Sequence, residues 1–245
     1  MCTVSYIPLN NGFVLTSSRD EVTLRATLKP QIYTTRNNTM VYPKDIVAGG
    51  TWIAANNKKQ IACLLNGAYQ SHIKQTVYSK SRGRVLLDSF DFSSHSEFMA
   101  ETNLDNVEPF TLLLLDYSNE PEFNQMVWDG EKKYIQRIDQ NVPAIWSSVT
   151  LYSVADRDLR KAWFKNWLSK NIEFEDSNIL DFHTANHNDI SRVNILMKRE
   201  NDLQTLSISQ FRIIDKTETF NYHDLGDNSL TSIDLTDLKC IQVLQ

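Results

Sequence analysis

The order of the elements predicts an α+β protein, folded as a single domain over residues 1–245. Strands open the chain, helices follow, and strands return at the end. Short alternating runs punctuated by Asn-Gly and Asp-Gly turns mark the strands, and two stretches with capping-box spacing mark helices. No linker, repeat, heptad or low-complexity tract divides two cores.

Residues 2–7 alternate, with Cys2, Val4 and Tyr6 on one face and Thr3, Ser5 and Ile7 on the other. Asn10-Asn11-Gly12 turns that strand into a return strand, Phe13 to Ser17, which leads to Ser18-Arg19-Asp20-Glu21. The polar stretch Val22 to Thr39, interrupted by Pro30, reads as a surface loop. Thr51 to Ala55 and Gln60 to Leu65 form a second hairpin, ended by Asn66-Gly67-Ala68. Ser81 to Phe90 and Ser94 to Glu101 read as helices, the second with Ser94 and Glu97 in capping-box spacing. Phe110 to Tyr117, Asn124 to Trp128 and Lys133 to Ile138 are three strands, with Asp129-Gly130 turning between the last two.

A long helix starts at Ser153, whose spacing to Asp156 is again that of a capping box, and Leu159, Trp163 and Trp167 stripe one face. A shorter helix covers Ser177 to Ala185. Thr205 to Gln210, Phe211 to Lys216 and Leu238 to Val243 complete the strands.

Composition excludes several classes. A formal charge of −5, with no basic cluster longer than Lys58-Lys59 or Lys132-Lys133, gives no support for a nucleic-acid or anionic-membrane partner. The longest apolar run, Leu112 to Leu115 with its flanks, is too short to span a bilayer. Three cysteines, Cys2, Cys63 and Cys240, argue against a disulfide framework, and no signal-peptide pattern opens the chain. The expectation is a cytoplasmic protein.

Cys2 is the candidate nucleophile. Removal of Met1 would leave one residue carrying a thiol and a free α-amine, whose ordinary pKa of about 7.7–8.0 suits a base. Such a site needs a carboxylate to orient the ammonium, a cation or amide near the carbonyl, and a donor for the oxyanion. Arg19, Asp20 and Asn66 are the candidates. The competing reading makes Cys2 a small buried hydrophobe in an edge strand.

Five blocks bear on that choice. Met1-Cys2-Thr3, Ser18-Arg19-Asp20-Glu21, Gly49-Gly50-Thr51-Trp52, Leu65-Asn66-Gly67 and Ser81-Arg82-Gly83 resemble, in order and approximate spacing, the NRDE family, which includes the transport-and-Golgi-organisation-2 proteins. Ser18 stands where the family name has asparagine. More distantly, the same blocks are similar to choloylglycine hydrolases and penicillin V acylases, which are N-terminal-nucleophile hydrolases. The resemblance implies a four-layer αββα sandwich of antiparallel sheets. It also implies Cys2 as nucleophile, Asp20 holding the α-amine, Arg19 facing substrate or polarising the thiol, and Asn66 donating to the oxyanion.

Gly50, Thr51 and Trp52 are candidate substrate-binding residues, since glycine admits close backbone approach and Trp52 can wall a pocket. A tight turn whose Trp fills the core is the equal alternative. His183 and His187 have the i, i+4 spacing of a zinc pair but lack the glutamate of a metalloprotease helix, so a solvated or loop-edge pair is expected. The tryptophan stripe and Cys63 read as core, and Cys240 gives no signal.

The expected function is a cysteine amidohydrolase that cleaves a small or non-peptide amide C–N bond through a Cys2 acyl-enzyme, without metal or cofactor. Its partner is a small amide or acyl ligand. The alternative is a non-catalytic carrier of haem or an acyl-CoA-like ligand.

Overall fold

The structure is a computed structural model that describes residues 3–171, 176–187 and 190–240, with the side chains of residues 176, 177 and 240 left out. The chain divides into two compact units, residues 1–25 with 142–232, and residues 26–141 with 233–245.

Unit 1 is built on a six-stranded sheet of order β10-β1-β2-β11-β12-β13. Its strands are β1 (Thr3–Leu9), β2 (Gly12–Val22), β10 (Ala144–Ser147), β11 (Leu203–Ile214), β12 (Thr217–Asp224) and β13 (Ser229–Asp234). Helices α3 (Val154–Lys170) and α4 (Asp176–Thr184) pack on it, and Ile7, Val14, Phe164, Ile179, Phe182 and Ile195 form the core between them. Ser153 caps α3 as expected, with the reciprocal Asp156 bond closing the capping box.

Unit 2 is built on a seven-stranded antiparallel sheet that follows chain order. Its strands are β3 (Thr27–Thr34), β4 (Thr39–Asp45), β5 (Ile53–Asn56), β6 (Gln60–Asn66), β7 (Phe110–Asp116), β8 (Glu122–Trp128) and β9 (Lys133–Arg137). Helices α1 (Arg82–Asp88) and α2 (His95–Glu101) bury Leu86, Phe90 and Phe98 against Leu112, Leu114 and Met126. Each unit thus supplies one sheet and one helical layer of the expected α+β class. The fifth helix, α5 (Asp237–Cys240), ends the described chain.

Several boundaries differ from the expectations. The segment read as a loop after Val22 holds β3 and most of β4. As the edge strand β3 tolerates Pro30, which sits within a bulge between Leu28 and Gln31, where no ladder donor is required. The two strands expected over Thr205 to Lys216 are one, β11, which turns through Asp215 at φ 53° into β12. The expected strand at Leu238 is instead α5, because Leu235 and Leu238 bury themselves at helical i, i+3 spacing. Residues 241–245 of that expected strand lie outside the described residues.

Candidate functional site

The N-terminal hairpin pairs Thr3 with Ser18 and Leu9 with Gly12, so Asn10-Asn11 is a two-residue turn. Gly12 is fixed by a close approach: a Cβ there would stand 1.9 Å from the Ile213 carbonyl oxygen, at a φ of +152°. Cys2 itself lies outside the described residues. Ser18-Arg19-Asp20-Glu21 is not a segment beyond the strand but its continuation, since β2 runs on to Val22.

Strand alternation then separates Arg19 from Asp20. Asp20 shares its face with Ser18, on the helix side. It is buried, and both oxygens accept hydroxyl protons, Oδ2 from Tyr152 at 2.7 Å and Oδ1 from Thr205 at 2.6 Å. Arg19, also buried, belongs to the opposite face and pairs with Ser207 across β11. Asp20 pairs with Thr205, one step along β2 but two steps along β11. The bulge at Leu206 is what aims Thr205 at Asp20 while Ser207 joins Arg19. On that second face, burial raises the Tyr222 phenol, while the Ser207 hydroxyl and the Arg19 charge pull it back. The Ser207 and Ser209 hydroxyls, both buried, find no partner of good geometry among the described residues.

The helix side of the hairpin carries a polar network that sequence reasoning missed. Fully buried Arg160 donates to Thr3 Oγ1 at 2.6 Å and to the carbonyls of Val193 and Asn194. His183 bridges the two strands, Nε2 to Ser5 Oγ at 2.7 Å and Nδ1 to Ser18 Oγ at 2.9 Å. In a neutral ring one nitrogen donates and the other accepts, which two hydroxyls accommodate in either tautomer. Burial, then the neighbouring His187 and Arg160, push its pKa down to about 3. The expected solvated pair is therefore corrected: His183 is completely buried, and half-buried His187 bonds the Phe182 carbonyl and stacks on Trp163. Its spacing from Ser18 on α4 was visible; its depth was not. Among the described residues, no group of three or more His, Cys, Asp or Glu is arranged to hold a metal ion.

In unit 2, Gly50 and Gly83 bring two of the sequence blocks together. A Cβ on Gly50 would meet the Gly83 backbone at 2.5 Å, and one on Gly83 would meet the Thr51 carbonyl oxygen at 2.6 Å. Thr51 is buried and donates to the Pro43 carbonyl at 2.6 Å, and Trp52 is buried beside it. Ser81 caps α1 from the same junction. Asn66 ends β6 opposite Phe110, half-buried, and Gly67 follows at φ 86° with its N–H on the Pro109 carbonyl. The candidate residues thus fall into two groups, Arg19 and Asp20 in unit 1 and Gly50, Thr51, Trp52 and Asn66 in unit 2.

The model of one protein family, Transport and Golgi organisation 2, matches residues 1–223. The chain belongs to the Transport and Golgi organisation 2 family. Among proteins with curated descriptions, none matches this family member. Solved structures do. A penicillin V acylase from Agrobacterium tumefaciens superposes with a TM-score of 0.59 at 14% identity, covering 97% of this chain and 88% of its own. A conjugated bile acid hydrolase from Clostridium perfringens gives 0.59 at 14% identity, covering 97% and 93%. The Caenorhabditis elegans orthologue of N-acylethanolamine-hydrolyzing acid amidase gives 0.56 at 10% identity, covering 86% and 92%. These likenesses show the fold, that of the N-terminal-nucleophile hydrolases. Among the described residues, no helix is long and apolar enough to cross a membrane.

Proposed function

We propose that this Transport and Golgi organisation 2 family member is a cysteine amidohydrolase that cleaves a small, non-peptide amide C–N bond through a Cys2 thioester. The observation that carries the reading is the fold, shared over nearly the whole chain with an acylase, a bile acid hydrolase and an acid amidase. The N-terminal hairpin supports it, because Arg19 and Asp20 stand at the end of β2 that pairs with the start of β1.

After loss of Met1, the Cys2 α-amine takes the thiol proton and the thiolate attacks the amide carbon. Collapse of the tetrahedral intermediate breaks the C–N bond, and the same amine delivers the proton to the leaving nitrogen. Water then hydrolyses the thioester. Arg19 carries the charge that favours thiolate or orients substrate, Asp20 orients the hairpin end from its Tyr152 and Thr205 bonds, and Asn66 is the oxyanion donor by its motif. Gly50, Thr51 and Trp52 shape the substrate side.

The test is incubation of methionine-processed protein with penicillin V, a glycine-conjugated bile acid and an N-acylethanolamine. Intact mass should show an acyl adduct on Cys2, and Cys2→Ala should abolish both adduct and turnover. Turnover by Cys2→Ala equal to wild type, or full retention of Met1 in protein from the native host, overturns the proposal. Saturable binding that survives Cys2→Ala with no turnover would establish a carrier instead.

A further inference from the structure

A cleft of about 540 Å³ opens in unit 2 between the 68–78 loop, the 106–109 segment and the turn joining β8 to β9. Its volume lies in the range of small-molecule sites, roughly 300–1,000 Å³. Asp129 and Glu131 line it, and none of the described residues lining it is Lys or Arg. The two nearby cations are committed elsewhere: Arg82 pairs with Glu108 at 3.2 Å, and Lys133 donates to the carbonyls ending α2. Asp129 is held ionised, because the backbone N–H of Lys132, followed by that of Glu131, lowers its pKa against a small burial effect.

His72 supplies the second feature. Its Nε2 meets Glu108 Oε1 at 3.3 Å, while Arg82 holds the other oxygen of that carboxylate. A carboxylate only accepts, so it draws the Nε2 proton and leaves Nδ1 of the neutral ring as a lone-pair acceptor. That Nδ1 is shielded from solvent and has no hydrogen-bond partner among the described residues, although His72 lines the cleft. Tyr69 adds an exposed ring, set edge-on against Tyr134 at 5.5 Å. The cleft therefore offers an unused acceptor, two carboxylates and an aromatic surface, and lacks a cation. An anion would be repelled, and a neutral ligand would leave the carboxylates uncompensated.

We propose that this cleft binds an aliphatic polyamine. One ammonium donates to His72 Nδ1, another group pairs with Asp129 and Glu131, and the methylene chain lies along Tyr69. The site is independent of Cys2 chemistry.

The experiment is calorimetric titration of the full chain with spermidine at about 0.15 M salt, where charges beyond about 8 Å are screened. The diol 1,8-octanediol is the uncharged control of similar span. Spermidine should bind saturably and the diol should not. Glu131→Gln, on an exposed turn, should weaken binding several-fold and flatten its salt dependence; His72→Leu should weaken it about tenfold, a factor equivalent to about 1.4 kcal/mol. Asp158→Asn, an exposed carboxylate of unit 1, should change nothing. Absence of spermidine binding, equal binding of the diol, or a Glu131→Gln effect no larger than that of Asp158→Asn overturns the proposal. If His72→Leu does not fold, the Glu131→Gln comparison decides it alone.

Discussion

The guanidinium of Arg160 lies 3.5 Å from the centroid of the Tyr152 ring, and the hydroxyl of that ring donates to Asp20 at 2.7 Å. One side chain, itself buried, therefore links a buried cation to a buried carboxylate that it does not touch directly. Buried charges are tolerated only when every proton and lone pair finds a partner. Arg160 meets that condition through Thr3, Val193 and Asn194, and Asp20 through Tyr152 and Thr205. The network ties α3, the 193–205 segment and both strands of the N-terminal hairpin into one unit.

Tyr152→Phe keeps the ring over Arg160 and removes only the hydroxyl. It should destabilise the protein by about 1.5–3 kcal/mol, the cost of removing a bond to a buried charge. Tyr152→Leu should lose more, since a desolvated cation–π contact adds about 2 kcal/mol. Urea unfolding of both variants measures the difference. A Tyr152→Phe protein as stable as wild type would show that Thr205 alone satisfies Asp20.

Gly83→Ala sets helix propensity against packing. Alanine is favoured in a helix by about 0.8–1 kcal/mol over glycine. A Cβ at Gly83, however, would stand 2.6 Å from the Thr51 carbonyl and 2.9 Å from the Thr51 nitrogen. Backbone atoms there have little room to retreat, so a net loss of about 1–3 kcal/mol is expected, as for overpacking. A rise in melting temperature would contradict the close approach of the two backbones.

Lys133 ends α2 from a neighbouring strand. Its ammonium donates to the carbonyls of Met99 at 2.8 Å, Ala100 at 2.9 Å and Thr102 at 3.1 Å. The helix is seven residues long, and its last carbonyls need such a donor. Lys133→Met keeps the aliphatic stem and should cost about 1–2 kcal/mol. Hydrogen exchange should accelerate first in α2; uniform acceleration across unit 2 would rule out a local capping role.

Acid should weaken the fold through two histidines. Burial pushes His95 down to about 4, and burial with nearby charge pushes His183 down to about 3. Both are neutral in the fold, whereas an unfolded histidine titrates near 6.5. Their contribution is therefore complete above pH 6.5 and is lost as the pH falls towards the folded values. Near pH 5 the two together should give a slope of about 2.5 kcal/mol per pH unit. Both ring nitrogens of His95 lack a partner among the described residues, and the ring lies 5.8 Å from that of Phe90. His95→Phe should thus leave stability near pH 7 unchanged or higher and roughly halve that slope. An unchanged slope in a pH series of urea unfolding curves would refute the assignment.

What the sequence determined by itself was local. The N-terminal hairpin, the Ser81, Ser94 and Ser153 caps, and the strands from Gln60 to Trp128 follow from alternation, turn residues and capping, which act between residues a few positions apart. The five sequence blocks placed the family as well. Only the tertiary structure decided the rest. It made a strand of a polar stretch by placing it at a sheet edge, and it divided Arg19 from Asp20 through alternation and a bulge in a partner strand some 185 residues away. It also buried Arg160 and His183, whose partners Thr3 and Ser5 lie 157 and 178 residues distant. Arginine and histidine read as solvated from composition, because their burial depends on partners that no local pattern can name. The same reason explains Gly50 and Gly83: each glycine was visible in the sequence, and the backbone that requires its missing side chain was not.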